Sequence, residues 1–249
     1  MTTVEGPGGA GGPMGAGGSA RRDELAGRLA AVRSRIADAC AGAGRDPAEL
    51  TLVAVTKFFP AADVDLLAEL GVTDVGENRD QEASAKLAQV RHRDRLQVHF
   101  IGQLQSNKAG SVVTYADVVQ SVDRRKLVSA LDRSADRAGR RLAVLVQVDL
   151  EGRPGRGGVA PERARGLADD VAATEHLDLR GVMAVAPLGA DPAPAFEALQ
   201  SLARGIRDDH PRATWVSAGM SGDLEAAVAH GATHLRVGSA ILGTRQSHR

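Results

Sequence analysis

The sequence predicts a closed α/β barrel of the (β/α)8 type, or TIM barrel, with an extra N-terminal helix, and three observations carry that prediction. Short apolar runs alternate eight times with helix-like segments along the 249 residues. Strands separated by helices run parallel, because a parallel connection needs a long crossover whereas an antiparallel one can be a hairpin. The body left after the first 19 residues has about 230 residues, the size of one such barrel. The alternative, a doubly wound open sheet, is weakened because no G-x-G-x-x-G follows the first strand.

Each element follows in order. Eight of the 29 glycines fall between Gly6 and Gly18, with Pro7 and Pro13 among them and almost no large apolar side chain. A segment with nothing to bury is expected to be disordered, so 1–19 is set apart as a leader, Met14 is an alternative start, and 20–249 is expected to form one domain. From Arg21 to Ala43, Leu25, Leu29, Val32, Ile36 and Ala39 or Cys40 recur at intervals of three and four, an amphipathic helix ended by Gly42 and Gly44. The units then read 51–56 with 61–70, 73–76 with 79–91, 97–102 with 106–112, and 117–122 with 123–138. The second half continues with 142–150 and 161–174, 177–185 and 193–209, 213–218 and 221–230, and finally the strand 234–238.

Composition narrows the function. Thirty-one basic and 31 acidic side chains cancel, which argues against the basic stripe of a nucleic-acid binder and against a polybasic membrane patch. Six aromatic residues are too few for a base-stacking platform. One cysteine, Cys40, excludes an internal disulfide framework and a thiolate metal cluster and suits a reducing cytosol. No apolar run approaches the roughly 18 residues that span a bilayer, and the leader has no basic n-region or apolar h-region. A cytoplasmic protein without a resident metal is expected.

In a barrel the chemistry gathers at the C-terminal ends of the strands. Lys57 stands there, one of four lysines and directly after Leu-Val-Ala-Val-Thr. Held by that strand, it is partly desolvated, which favours the neutral amine needed for Schiff-base chemistry that arginine cannot perform. The other reading of the same pattern is a buried lysine paired to a carboxylate such as Glu77. After the seventh and eighth strands, Ser217-Ala-Gly-Met-Ser-Gly-Asp and Arg236-Val-Gly-Ser-Ala-Ile-Leu-Gly place small residues at helix starts, the recurrent phosphate site of this fold. The same glycines also suit tight strand-to-helix turns. Together with a strand-end lysine, they suggest a ligand carrying both an aldehyde and a phosphate. His230 and His234 are spaced like a metal pair, but Gly231 interrupts the helix between them. Asp223 and Glu225 are expected to offset a helix dipole. Residues 151–158 lack the G-x-x-x-x-G-K-[ST] order and read as a connection. Lys108 suits either an anion above the mouth or plain solvation.

These residues resemble a known family. Val53-Ala-Val-Thr-Lys57, Gly76-Glu-Asn-Arg-Asp-Gln-Glu82, His99-Phe-Ile-Gly-Gln-Leu-Gln-Ser-Asn-Lys108, Ser217-Ala-Gly-Met-Ser-Gly-Asp223 and Arg236-Val-Gly-Ser-Ala-Ile-Leu-Gly243 stand in the order seen in the pyridoxal 5′-phosphate (PLP) homeostasis proteins, the YggS/PROSC family. The resemblance runs from Ala26 to Arg245 and implies a fold-type III PLP barrel similar to the N-terminal domain of alanine racemase. It implies PLP held as a Schiff base on Lys57, phosphate on Ser217, Gly219, Gly238 and Ser239, Arg236 facing the pyridine nitrogen, and Asn78 lining the cofactor. The chain departs from the family at Thr56, where serine is usual, at Arg79-Asp80, and at Arg156, where lysine is common. The implied role is vitamin B6 and amino-acid homeostasis by a monomeric carrier, with small amino acids and PLP-requiring apo-enzymes as partners. An amino-acid racemase is the alternative, for which a second base is missing from the sequence: its only tyrosine, Tyr115, precedes the fourth strand. A class I aldolase using Lys57 without cofactor is a third reading.

Overall fold

The structure is a computed structural model that describes residues 16–152, 157–187 and 189–244. Helix α1 spans Ala16–Ala43, so the last residues of the expected leader are helical; residues 1–15 lie outside the described residues. Leu25, Leu29, Val32, Ile36 and Cys40 form the buried stripe of α1, as their spacing predicts. Eight strands follow: β1 Thr51–Val55, β2 Asp74–Glu77, β3 Gln97–Phe100, β4 Val118–Val122, β5 Leu142–Val148, β6 Leu177–Ala184, β7 Trp215–Ser217 and β8 His234–Val237. All pair in parallel in chain order and β8 closes on β1, a closed barrel with Val53 of β1 opposite both Asp74 of β2 and Arg236 of β8.

The outer ring is α2 Ala61–Glu69, α3 Asp80–Leu87, α4 Ala109–Tyr115, α5 Arg125–Arg137, α6 Pro161–Ala172, α7 Ala193–Asp209 and α8 Leu224–Ala229, with the single turn α9 Ser239–Leu242 after β8. A four-residue α9 cannot cover β8 and β1, and α1 fills that gap by packing on α8 and α9. Arg35 of α1 holds Glu225 of α8 at 2.8 Å, and Arg21 reaches the Leu242 carbonyl at 3.1 Å. Glu225 therefore ties two helices together, where the sequence suggests only a dipole partner. No helix of the described residues is long and apolar enough to cross a membrane.

Most of the core lies between barrel and helices, where alternate strand residues such as Ala54, Val75, Val98 and Val119 are buried. Inside the barrel the filling is divided. Val118, Leu145 and Met183 pack together on the β4–β6 side. Asp74, His99, Gln120, Ser217, His234 and Arg236 are buried and joined mostly across the lumen, since β7 and β4 are not neighbours yet Ser217 bonds Gln120. Buried polar groups survive only when hydrogen-bonded, so this half of the lumen is specified by its bonds rather than by packing.

Candidate functional site

Lys57 occupies the turn directly after β1, at the C-terminal mouth. It is half-buried, and its amine makes no hydrogen bond or ion pair among the described residues; its Nζ lies 5.9 Å from the Phe58 ring centroid. Phe58 has φ 71°, the only positive value among the described non-glycine residues, and it is 40% exposed. Its N–H is held by the Glu82 carboxylate. An aromatic residue in the left-handed region costs on the order of 1–3 kcal/mol, and such strain gathers at functional sites.

Behind this turn, Glu77 pairs with Lys86 of α3 at 2.7 Å, and Lys86 also donates to the Thr56 carbonyl at 2.8 Å. The Thr56 hydroxyl donates to the same Glu77 oxygen at 2.6 Å. Burial pushes the Glu77 carboxyl above its usual range, opposed by the Lys86 charge. Glu77 is thus committed to Lys86, and the alternative of a Lys57–Glu77 pair is set aside.

The loops after β7 and β8, loops seven and eight, meet where Ser221 Oγ bonds Ser239 Oγ at 3.3 Å. A Cβ on Gly238 would lie 3.3 Å from both Cβ and the carbonyl oxygen of Val55, so loop eight sits against the end of β1 two residues before the lysine. Gly219 has φ 88°, and a Cβ there would come within 2.6 Å of Ala227, which only glycine avoids. Asp223 takes the Met220 N–H at 2.6 Å and so shapes loop seven itself. The amides of Gly219, Ser221, Gly222, Gly238 and Ser239 donate to no group among the described residues. Unpaired N–H groups converging from two loops are what an anion requires.

The Arg236 guanidinium donates to Ser217 Oγ at 2.7 Å and to the Ala184 carbonyl at 2.8 Å, and its Nε has no partner among the described residues. Burial draws its pKa down to about 10, which leaves it cationic at neutral pH. The Ser217 hydroxyl donates to Gln120 Oε1 at 2.7 Å, so Ser217 lies beneath Arg236 with its hydroxyl engaged away from the loop amides. Below, His234 stacks on Trp215 with ring centroids 4.3 Å apart, and its Nδ1 meets the Thr233 hydroxyl. Burial first, with the nearby Arg236 charge adding to it, pushes His234 down to about 3. His230, by contrast, bonds the Ala226 carbonyl, so the two histidines serve different places.

Asn78 follows β2 half-buried and, with Gln103, Leu104 and Lys108, lines a cleft of about 530 Å3 at the rim. Lys108 lies there 3.9 Å from Asp80. Arg156 and its neighbours at 153–156 lie outside the described residues. Sequence reasoning missed His99, Gln120 and Asp74 as interior polar residues. For His99 and Gln120 the strand pattern carried the signal, because each interrupts an otherwise apolar run, whereas Asp74 follows Thr73 and broke no such run.

The chain matches the family described as alanine racemase, N-terminal domain, over residues 28–246. The pyridoxal phosphate homeostasis protein of Mycobacterium tuberculosis is 45% identical over 244 residues, which cover 91% of this chain and 95% of that relative. The chain belongs to the pyridoxal phosphate homeostasis protein family. Two solved structures share the fold of this chain. A protein of Bifidobacterium adolescentis superposes with a TM-score of 0.85 at 32% identity, covering 89% of this chain and 96% of its own. PipY of Synechococcus elongatus, solved with PLP bound, superposes with a TM-score of 0.78 at 35% identity, covering 88% of this chain and all of its own.

Proposed function

We propose that this chain binds PLP in the C-terminal mouth of its barrel, holds it as a Schiff base on Lys57, and serves intracellular PLP and amino-acid homeostasis as a carrier. One observation carries the reading. Gly238 packs against Val55 at the end of β1, two residues before Lys57, so the loop-eight amides and the lysine amine, none of them paired among the described residues, lie on either side of that strand end. That set of donors fits an aldehyde bearing a phosphate, and a PLP-bound family member supports it.

Bound PLP supplies an aldehyde that condenses with amines and a ring that withdraws electrons from them. The chain's residues divide the work of holding it. Lys57 offers the amine, and the amides of Gly219, Gly238 and Ser239 take the phosphate. Asn78 lines the rim. Arg236 directs a guanidinium N–H at the pyridine nitrogen and, being able only to donate, disfavours a proton there. A ring kept unprotonated is a weak electron sink, so Arg236 favours storage over turnover. The one tyrosine, Tyr115, is buried with its hydroxyl on Asp80, and burial first and that carboxylate second hold it protonated far above the usual phenol range. It is a poor second base, which supports the carrier over the racemase reading. Small amino acids and PLP-requiring apo-enzymes are the partners this reading implies, and a monomer in the cytoplasm is its setting.

The test is the absorbance spectrum of purified protein incubated with PLP, followed by borohydride reduction and peptide mapping. A visible band that reduction abolishes, with a pyridoxyl group on Lys57, is the expected result. A label on Lys86, Lys108 or Lys126 with none on Lys57, or no band at saturating PLP, would overturn it. An aldolase acting through Lys57 alone gives no band.

A further inference from the structure

The half-polar lumen contains one continuous hydrogen-bonded chain, and its direction can be derived. Arg236 can only donate, so Ser217 Oγ accepts from it at 2.7 Å and must send its own hydrogen to Gln120 Oε1 at 2.7 Å. The Gln120 amide then donates through Nε2 to His99 Nδ1 at 2.8 Å, which leaves that nitrogen without a proton. His99 must carry its proton on Nε2, and it donates to Asp74 Oδ1 at 2.9 Å. Thr73 completes the end by donating to Asp74 Oδ2 at 2.6 Å. The reverse orientation of Gln120 would leave the Ser217 hydrogen without an acceptor among the described residues.

Every donor in this chain points from the guanidinium toward the carboxylate, from β8 through β7, β4 and β3 to the start of β2. Ser217, Gln120 and His99 have no exposed surface, and Arg236 and Asp74 keep 4% and 7%. Water cannot replace a link, and in such surroundings aligned bonds between opposite charges are strong. Burial would raise the Asp74 carboxyl, but its bonds from His99 and Thr73 outweigh that and hold it below its usual range, so the far end stays anionic.

We propose that His99 is a positioning residue for the cofactor site, fixing Arg236 through Gln120 and Ser217 so that the guanidinium meets the pyridine nitrogen of bound PLP at a set place. This rests on the PLP reading above. It gives a role to a histidine on the floor side of the barrel, away from Lys57 and the loop amides at the mouth.

The test compares His99→Leu, which breaks the chain, with His99→Gln, which offers both an acceptor and a donor. In PLP-loaded protein, H99L should shift the visible absorption maximum and weaken PLP retention about tenfold, the loss expected when a charged group's partner is removed. H99Q should restore both. Gln120→Met severs the same chain one link nearer the site and takes over the comparison if H99L does not fold. Independently of any cofactor, nitrogen NMR of the PLP-free protein should find His99 protonated on Nε2 and bare on Nδ1. A folded H99L or Q120M with the wild-type spectrum and affinity overturns the proposal, as does a proton on Nδ1. Wild-type protein that takes up no PLP overturns the cofactor reading and the proposal with it. Its spectrum tells that outcome apart from failure of the relay alone.

Discussion

Lys86 Nζ lies 2.7 Å from the Glu77 carboxylate with both side chains closed off from solvent, and the same ammonium holds the carbonyl of the residue before Lys57. The pair joins α3 to the ends of β1 and β2, so it buttresses the turn that presents the lysine amine. Removing one partner of a buried pair strands the other charge, at a cost of about 3–5 kcal/mol, whereas removing both together is far milder.

Lys86→Met should therefore lower stability in urea unfolding by about that amount, and Glu77→Leu combined with Lys86→Met should recover much of it. The pH dependence has a definite sign. Burial already raises the Glu77 carboxyl above its unfolded value, and without Lys86 it should rise further. A folded-state pKa above the unfolded one contributes stability at low pH that is lost as pH rises through it. The single variant should accordingly fall further behind wild type at pH 8 than at pH 5; the opposite trend contradicts the assignment.

Lys57 is half-buried and makes no hydrogen bond or ion pair among the described residues. Lys57→Ala should change unfolding free energy by no more than about 0.5 kcal/mol. The same variant should lose all borohydride-fixed pyridoxyl while retaining weaker, reversible PLP binding through the loop amides. A large loss of stability would mean that the lysine has a structural partner.

Gly238→Val tests the anion cradle. Its Cβ must share space with Val55, already 3.3 Å away, and its branches intrude where the amide faces the ligand. PLP affinity, read by absorbance titration, should fall at least about tenfold, with Gly238→Ala intermediate. Unchanged affinity in a folded valine variant would move the phosphate elsewhere.

His234 makes the fold acid-sensitive. Its folded-state pKa is pushed to about 3 from an ordinary 6.5, so below pH 6.5 the unfolded chain takes up a proton that the folded chain refuses. Stability contributed by this group is present above pH 6.5 and declines as pH falls toward 3, by about 2 kcal/mol at pH 5. Chemical denaturation at pH 7 and pH 5 should show His234→Phe losing less than wild type between them. An equal loss in both would exclude His234 as the source.

The barrel was legible in the sequence because parallel strands buried on both faces write themselves as short apolar runs, and helices between them as amphipathic periods. Strand β6 at Leu177–Ala184 and helix α7 at Ala193–Asp209 lie within or on the segments that pattern marks. The start of α1 was less legible, because Gly17 and Gly18 are poor helix formers and suggest a later beginning. Lys57 and the two glycine loops stood out as well, since a lysine after an apolar strand and small residues at helix starts each break a local rule.

Partnership is what only the tertiary structure decided. Glu77 is the strand-end carboxylate that the sequence offers to Lys57, yet it belongs to Lys86, because strand alternation and the placing of α3 bring their side chains to the same side of β2. Ser217 reads as a phosphate ligand from its motif, but closure of the barrel sets it opposite Gln120, 97 positions away, and gives its hydroxyl to the lumen. Local propensity and burial period act over a few residues and can be read along the chain. Which polar groups meet across a lumen depends on the stagger of all eight strands at once, and no short window of sequence contains it.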